Sequence, residues 1–339
     1  MRALFLGFRH RAEPTIDIVD SLDRSTIWPY DERGEPHEFY YQRYGHPVGA
    51  AAERALGELD GGHALLFPSG AGATTALVLG LLEPGATIAL AAGAYFGTGR
   101  LFARLERWGL KVVEFDQTGA PPDGVQLVWV EAPSNPFLTM PDLDAAVAHA
   151  APVVVDATAA TPIHLRPLEH GADFVLHSAT KYLAGHDDVL LGAVVCRREE
   201  DASRLRDFRA TTGIVAAPDP CWLLLRSLET LPLRVERQTA GARELASRLE
   251  AHPSVRIVRY PGFGGLMSFD VADGEAARRV ETATRVITNA TSLGGVRSVM
   301  ETRHRWEGDR VPEGLLRLSV GLEGVDSLWA DLENALAQG

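Results

Sequence analysis

Short apolar runs alternate with stretches of helical periodicity between about residues 60 and 200. The runs are rich in Val, Leu and Ile and are bounded by Gly and Pro, which is typical of strands buried on both faces. Helical stretches at 74–82, 100–108 and 142–150 separate several of them. The predicted strands are 64–67, 87–90, 112–115, 127–130, 153–155, 174–176 and 190–196. The pattern predicts an α/β domain in which helices cover a mostly parallel sheet.

After Gly213 the pattern changes to a long amphipathic stretch over 221–249, in which Pro232 predicts a kink. Further along, short apolar runs alternate with two helical stretches, which indicates a smaller α+β domain. Its predicted elements are strands at 255–260, 266–271, 286–287 and 315–320, and helices over 274–284 and from Asp326. The predicted divisions of the chain are an N-terminal arm (1–45), a large domain (46–233) and a small C-terminal domain (234–339).

The composition of the 339 residues, with 46% hydrophobic and 23% charged residues, is that of an ordinary folded protein. A formal charge of -12 disfavours binding to nucleic acid or to an anionic membrane surface. The apolar run 3–8 is too short for the core of a signal peptide, so we expect a cytoplasmic protein. Cys196 and Cys221 have no His or Cys neighbours at metal-ligand spacing, so we expect no metal site.

Lysine is rare in this chain. Of the 33 lysine and arginine residues, only Lys111 and Lys181 are lysines. Arginine can replace lysine as a surface charge, but it cannot form a Schiff base with an aldehyde. Lys111 lies at the start of a predicted strand and is interpreted as a surface charge. Lys181 follows the predicted strand 174–176, at the strand end where α/β sheets bind ligands. Lys181 is therefore the candidate for covalent chemistry.

Three further features surround Lys181 with the groups that pyridoxal phosphate needs. Asp156 ends the predicted strand 153–155, where a carboxylate can pair with a pyridinium nitrogen while Lys181 holds the cofactor aldehyde. The segment 67–73 joins a strand to a helix through Gly70, and free amides at such a helix start can bind a phosphate. Hydroxyl groups flank Lys181 in the same segment, at Ser178 and Thr180. The combination predicts a pyridoxal phosphate site.

Eight segments in this order resemble one enzyme family. They are YQRYGHP (41–47), SGA (69–71), YFGT (95–98), EAPSNP (131–136), VDAT (155–158), HSATKY (177–182), SLGG (292–295) and RLSVGLE (317–323). The chain resembles the Cys/Met-metabolism pyridoxal phosphate enzymes of fold type I, which include cystathionine gamma-synthase, cystathionine gamma-lyase and cystathionine beta-lyase. The resemblance extends from about Tyr40 to Leu336.

The resemblance implies roles for individual residues. Lys181, Tyr95 and Asp156 would be catalytic, with Tyr95 stacked on the cofactor ring and made more acidic by a nearby cation. The implied cofactor-binding residues are Tyr41, Arg43, Gly70, Ala71, Tyr95, Asp156, Thr158, Ser178, Thr180 and Lys181, with Tyr41 and Arg43 reaching into a neighbouring subunit. The implied substrate-binding residues are Asn135, Ser292, Leu293 and Arg317, the last as the clamp for the substrate carboxylate.

The activity that the resemblance implies is elimination or replacement at the beta or gamma carbon of a sulfur-containing or O-acylhomoserine-type amino acid. The partners are then an amino-acid substrate and a second copy of the chain, as a homodimer or a homotetramer. Two alternatives remain, a fold type I aminotransferase and a cofactor-binding relative without turnover. Departures from the family pattern, at Arg297 and in the segment 301–306, leave synthase, gamma-lyase and beta-lyase all open.

Overall fold

The computed structural model describes residues 20–338. The predicted N-terminal arm is therefore only partly described, and the apolar run 3–8 lies outside the described residues. The first part of the chain contains α1 (Pro47–Asp60), β1 (His63–Phe67), α2 (Gly70–Leu81), β2 (Thr87–Ala91), α3 (Phe96–Leu105), β3 (Lys111–Phe115), β4 (Leu127–Glu131), α4 (Leu143–Val147), β5 (Val153–Asp156), α5 (Thr161–His164), β6 (Phe174–His177), β7 (Gly192–Cys196) and α6 (Glu199–Thr212).

The second part continues with α7 (Pro218–Leu228), α8 (Leu231–Glu250), β8 (Ile257–Arg259), β9 (Leu266–Asp270), α9 (Gly274–Ala283), β10 (Thr288–Asn289), β11 (Val299–Thr302), α10 (His304–Glu307), β12 (Leu315–Ser319) and α11 (Val325–Leu336). Short 3-10 turns lie between α3 and β3, between α5 and β6, and between α10 and β12. Their bounds are Glu106–Trp108, Pro167–His170 and Gly308–Arg310. In the part of the chain that is described, no helix is long and apolar enough to cross a bilayer.

The larger sheet has the strand order β1-β7-β6-β5-β4-β2-β3. Strand β7 runs antiparallel to both of its neighbours, whereas the other neighbouring strands are parallel. Successive residues of a strand pack into different cores, with Val154 beside α2, α3 and α6 and Val155 beside α1, α7 and α8. The prediction of a mostly parallel sheet buried on both faces is confirmed.

The smaller sheet has the strand order β10-β11-β12-β9-β8. Its central strand, β12, is antiparallel to both β11 and β9. Helices α8 and α9 pack against the sheet, and α11 packs against these two helices. A hydrogen bond from the Ser268 hydroxyl on β9 to the Pro136 carbonyl, 2.8 Å long, joins this sheet to the loop that follows β4. The small sheet therefore lies next to the strand ends of the large sheet, while the predicted domain limits at 45 and 233 stay a prediction.

Several predicted elements differ in the structure for local reasons. The predicted kinked helix over 221–249 is wrong, because the chain forms two helices and Pro232 lies in the first turn of α8, where its missing N–H removes no helical bond. Helix α2 begins earlier than predicted because the Ser69 hydroxyl caps it, accepting a 3.0 Å bond from the Gly72 amide. The predicted strand 286–287 is displaced to β10, and the predicted helix 142–150 ends after Val147.

Candidate active site

Lys181 lies in the turn that follows β6, at the carboxyl end of the strand. Its Nζ donates a 2.9 Å hydrogen bond to the hydroxyl of Ser292, which has a left-handed backbone with φ of 89°. Burial lowers the pKa of Lys181 to about 8, and the positive charge of Arg317 acts in the same direction. A substantial fraction of this amine is therefore neutral near physiological pH, as a nucleophile or a base requires.

Asp156 lies at the end of β5, one strand away from Lys181. Its Oδ1 accepts hydrogen bonds from the Thr158 amide at 3.0 Å and from the Thr158 hydroxyl at 2.5 Å. The same hydroxyl accepts a 2.8 Å bond from the Ser178 amide, which connects Asp156 to the turn that carries Lys181. Burial raises the pKa of Asp156, so a cationic or N–H partner at this carboxylate would be stabilised.

The start of α2 forms a narrow cradle beside Ser178. A Cβ added at Gly70 would lie 3.0 Å from the Ser178 Cβ, so glycine permits this close approach. Within residues 20–338, neither the Gly70 amide, the Ala71 amide nor the Ser178 hydroxyl makes a hydrogen bond. Unused donors at a helix start suit a phosphate group. The residues present therefore fit the phosphate end of pyridoxal phosphate, and Asp156 fits the ring nitrogen.

Thr180 differs from this expectation in its contacts. Its hydroxyl donates to the Leu191 carbonyl at 3.1 Å and accepts from the Leu191 amide at 3.0 Å. The single hydroxyl proton is already used, so a phosphate contact from Thr180 would require the hydroxyl to turn away from Leu191.

Arg317 projects from β12 toward the turn that contains Ser292. Its Nη1 donates to Asn135 Oδ1 at 3.0 Å, and its Nη2 donates to the Ser292 carbonyl at 2.9 Å. Burial lowers the pKa of Arg317 to about 10, with Arg303 acting in the same direction. Leu293, the next predicted substrate contact, is also buried. The structure thus brings the four predicted substrate-binding residues together next to Lys181.

Tyr95 lies at the N-terminal end of α3, and its amide donates a 2.5 Å bond to the carboxylate of Glu131. The sequence predicts that a cation eases the ionisation of the Tyr95 phenol. Arg303 and Arg317 do act in that direction, but burial dominates and raises the pKa of Tyr95. The described residues alone therefore do not make the phenol more acidic, and the acidity of Tyr95 beside a bound cofactor stays a prediction.

Tyr41 and Arg43 lie apart from this cluster within a single chain. Arg43 donates a 2.6 Å bond to the Ala210 carbonyl on α6, and its guanidinium lies 5.2 Å from the Tyr41 ring centroid. Their hydrogen bonds and ring contacts involve none of the residues around Lys181. Tyr41 is 41% exposed, so its ring is available to another molecule.

The structure adds charged residues that the sequence did not assign to the site. Glu301 on β11 and Arg303, which follows it, are both buried beside Arg317. Glu131 at the end of β4 is also buried, and burial, together with the nearby Asp156, raises its pKa well above the usual range. The sequence signal for Glu301 and Arg303 was the unusual segment 301–306, and Glu131 opens the segment EAPSNP (131–136). Within the described part of the chain, His, Cys, Asp and Glu side chains form no group that could hold a metal ion.

Comparisons with known proteins agree with this arrangement. The profile of a family described as Cys/Met metabolism PLP-dependent enzyme matches residues 9–337. An L-methionine gamma-lyase from Streptomyces avermitilis is 41% identical over 93% of this chain and 83% of its own. A cystathionine gamma-synthase from Mycobacterium tuberculosis is 37% identical over 99% of this chain and 96% of its own.

A solved structure extends the comparison to three dimensions. Cystathionine gamma-synthase from Xanthomonas oryzae pv. oryzae, in complex with cystathionine, superposes with a TM-score of 0.90. The two chains are 33% identical, and the match covers 95% of this chain and 93% of the other. The sequence profile and the matching fold together show the family of this chain. It belongs to the pyridoxal phosphate-dependent enzymes of cysteine and methionine metabolism.

Proposed function

We propose that this enzyme catalyses elimination or replacement at the beta or gamma carbon of a sulfur-containing or O-acylhomoserine-type amino acid. The observation that carries the proposal is that Ser292 contacts both Lys181 and Arg317. Its hydroxyl accepts a hydrogen bond from Lys181 Nζ, and its carbonyl accepts one from Arg317, the proposed group for binding the substrate carboxylate. A base with a lowered pKa next to a carboxylate clamp is the arrangement that a proton abstraction at Cα requires. The named relatives include a gamma-lyase and a gamma-synthase.

The cofactor would be held at both of its ends. The Gly70 and Ala71 amides and the Ser178 hydroxyl would bind the phosphate, with Thr180 after its hydroxyl has turned. Asp156, oriented by Thr158, would keep a proton on the ring nitrogen. When bound, pyridoxal phosphate supplies an electron sink for the pair of electrons left by the Cα proton.

The protein side chains then orient the substrate and move its protons. Arg317 and Asn135 bind the substrate carboxylate, with the Ser292–Leu293 backbone alongside. This fixes the Cα hydrogen near Lys181 Nζ, which takes the proton. Tyr95, whose pKa is raised by burial, is suited to give a proton to the leaving group.

A second copy of the chain completes the phosphate site in this proposal. The exposed Tyr41 ring and the Arg43 guanidinium of one copy would contact the cofactor phosphate of its neighbour. An arginine forms strong charge-assisted hydrogen bonds with a phosphate, which would add to the neutral donors of the cradle. The assembly is then at least a homodimer, and a homotetramer would contain two such pairs.

The test of the proposed reaction is product analysis with the purified holoenzyme. L-Cystathionine, L-cysteine, L-methionine and an O-acyl-L-homoserine with L-cysteine are supplied in turn. Release of ammonia and a keto acid indicates a lyase, and formation of cystathionine from the acylhomoserine indicates a synthase. Conversion of an amino acid to its keto acid without ammonia, with an amino group passed to an acceptor, would favour the aminotransferase alternative. Bound cofactor without any product would favour a relative without turnover.

Cofactor uptake by the apoenzyme is expected to depend on pH through Lys181. Only the neutral amine attacks an aldehyde, and the pKa of Lys181 is lowered to about 8. The uptake rate should therefore rise about tenfold between pH 7 and pH 9 and level off above pH 9. Stopped-flow absorbance after mixing the apoenzyme with pyridoxal phosphate measures the rate. A rate that keeps rising tenfold per pH unit above pH 9 would mean that the amine is not shifted.

A further inference from the structure

Glu301 occupies a defined position beside the carboxylate clamp. It lies on β11 directly opposite Arg317 on the antiparallel strand β12, so the two residues are cross-strand neighbours. Glu301 Oε1 accepts a 2.7 Å bond from Arg317 Nη2, and both side chains are almost completely buried. The pair lies inside the protein and is shielded from solvent, so its charges interact more strongly than a surface pair would.

The Glu301 carboxylate accepts four hydrogen bonds from other protein groups. Its Oε1 accepts from Arg317, from Arg303 Nη1 at 2.7 Å and from the Thr291 hydroxyl at 3.0 Å. Its Oε2 accepts from the Trp306 indole at 2.9 Å. Each carboxylate oxygen has about two acceptor positions, so Oε1 is fully used by its three donors, and Oε2 keeps about one position beside the Trp306 indole. Because all four of these hydrogen bonds come from protein side chains, Glu301 is suited to hold those side chains in place.

Arg317 keeps only part of its donor capacity for a ligand. A guanidinium has five N–H groups, of which one each is used by Asn135, the Ser292 carbonyl and Glu301. Both Nη2 protons are used, so the two N–H groups that remain are one on Nη1 and one on Nε, and each can donate to a ligand carboxylate. The orientation of these two groups depends on the three protein acceptors, and Glu301 is the charged one.

We propose that Glu301 is a positioning residue that fixes the Arg317 guanidinium for recognition of the substrate carboxylate. Glu301 also separates the charges of Arg317 and Arg303, since it accepts a hydrogen bond from each. Without this carboxylate two buried cations would repel each other, and the guanidinium would lose its orientation. The inference rests on the proposed function in one respect, which is that Arg317 binds the carboxylate of an amino acid.

The test compares an amino acid with its amide as ligands of the holoenzyme. L-Norleucine has a carboxylate and no leaving group on its side chain, and L-norleucinamide differs only at the carboxyl group. Isothermal titration calorimetry gives a dissociation constant for each, and their ratio measures recognition of the carboxylate. We expect the wild-type enzyme to prefer the acid by on the order of 100-fold. In Glu301→Gln we expect this preference to fall about tenfold or more.

Glu307→Gln is the matched control. The Glu307 side chain is 6% exposed and accepts from Arg303, at 2.8 Å from Nη2. This substitution changes the net charge of the same cluster by the same amount. Glu307 makes no hydrogen bond to Arg317 in the described part of the chain. The acid-to-amide preference should therefore stay within about twofold of the wild-type value. Equal losses in the two variants would overturn the proposal, because they would indicate a general effect of charge or folding.

A second variant tests the same role of Glu301 if Glu301→Gln does not fold. Trp306→Phe removes the donor to Glu301 Oε2 at a half-exposed residue and keeps the charge of the carboxylate. We expect a smaller loss of preference in the same direction, about two- to fivefold. An unchanged preference in both Glu301→Gln and Trp306→Phe would contradict the positioning role. Because the readout is binding, an enzyme that releases no product from any sulfur amino acid would refute the proposed function and leave this test intact.

Discussion

Replacing Lys181 with alanine is expected to lower turnover by at least about 10²–10⁴-fold, the range for loss of a positioned acid or base. The reason is that Lys181 is the partly buried amine of the described site, with a pKa lowered to about 8. The variant should also lose the visible absorption of bound cofactor that depends on a lysine linkage. Steady-state assays on the substrate that the product analysis identifies, and absorbance spectra of the purified variant, measure both effects.

The second lysine of the chain provides the control. Lys111 is exposed at the start of β3, so Lys111→Ala removes the same functional group at a site far from Ser292. Its spectrum and its kcat should match those of the wild-type enzyme within about twofold. A Lys181→Ala variant that keeps its colour and turnover would refute the assignment of the covalent residue. Equal losses in the two variants would point to a defect in folding.

Replacing Arg317 with lysine is expected to raise KM by about 30-fold or more, which corresponds to about 2 kcal/mol or more. A lysine keeps the positive charge, but its three donors cannot serve Asn135, the Ser292 carbonyl and Glu301 and also clamp a carboxylate. The effect on kcat should be smaller than the effect on KM. Steady-state kinetics over a wide range of substrate concentrations separates the two parameters.

Arg166→Lys is the control for this substitution. Arg166 donates a 2.7 Å bond to the Leu59 carbonyl and an additional bond to Glu169, and it has no contact with the site. It should change the melting temperature slightly and leave KM within about twofold. If Arg317→Lys and Arg166→Lys had the same KM, the carboxylate would have to bind elsewhere.

The strands of the large sheet could be predicted because their signal is local. The run 153–155 is apolar, short and bounded by turn residues, and strand β5 is buried along its length, whereas the edge strand β3 is largely exposed. The strand ends then follow from the topology, which explains why Lys181 and Asp156 were found from the sequence alone. The roles of these two residues stay a proposal until the variants are measured.

Other features depend on contacts that are distant in sequence. Strand β11 was not predicted because two of its four residues are polar, and Glu301 is buried only because Arg317 and Arg303 compensate its charge. The acidity of Tyr95 also depends on how deeply its ring is buried, which a residue pattern does not specify. Sequence reasoning therefore located the residues proposed to bind the cofactor more completely than the charged residues around Arg317.

The most direct test of the account is borohydride reduction of the purified holoenzyme followed by peptide mapping. The chain has two lysines, so a pyridoxyl group can be assigned without ambiguity between Lys111 and Lys181. The account predicts a yellow protein whose visible band is bleached by borohydride, with the added mass on the peptide that contains Lys181. A protein that stays colourless after incubation with pyridoxal phosphate, or one labelled at Lys111 with Lys181 unmodified, would contradict it.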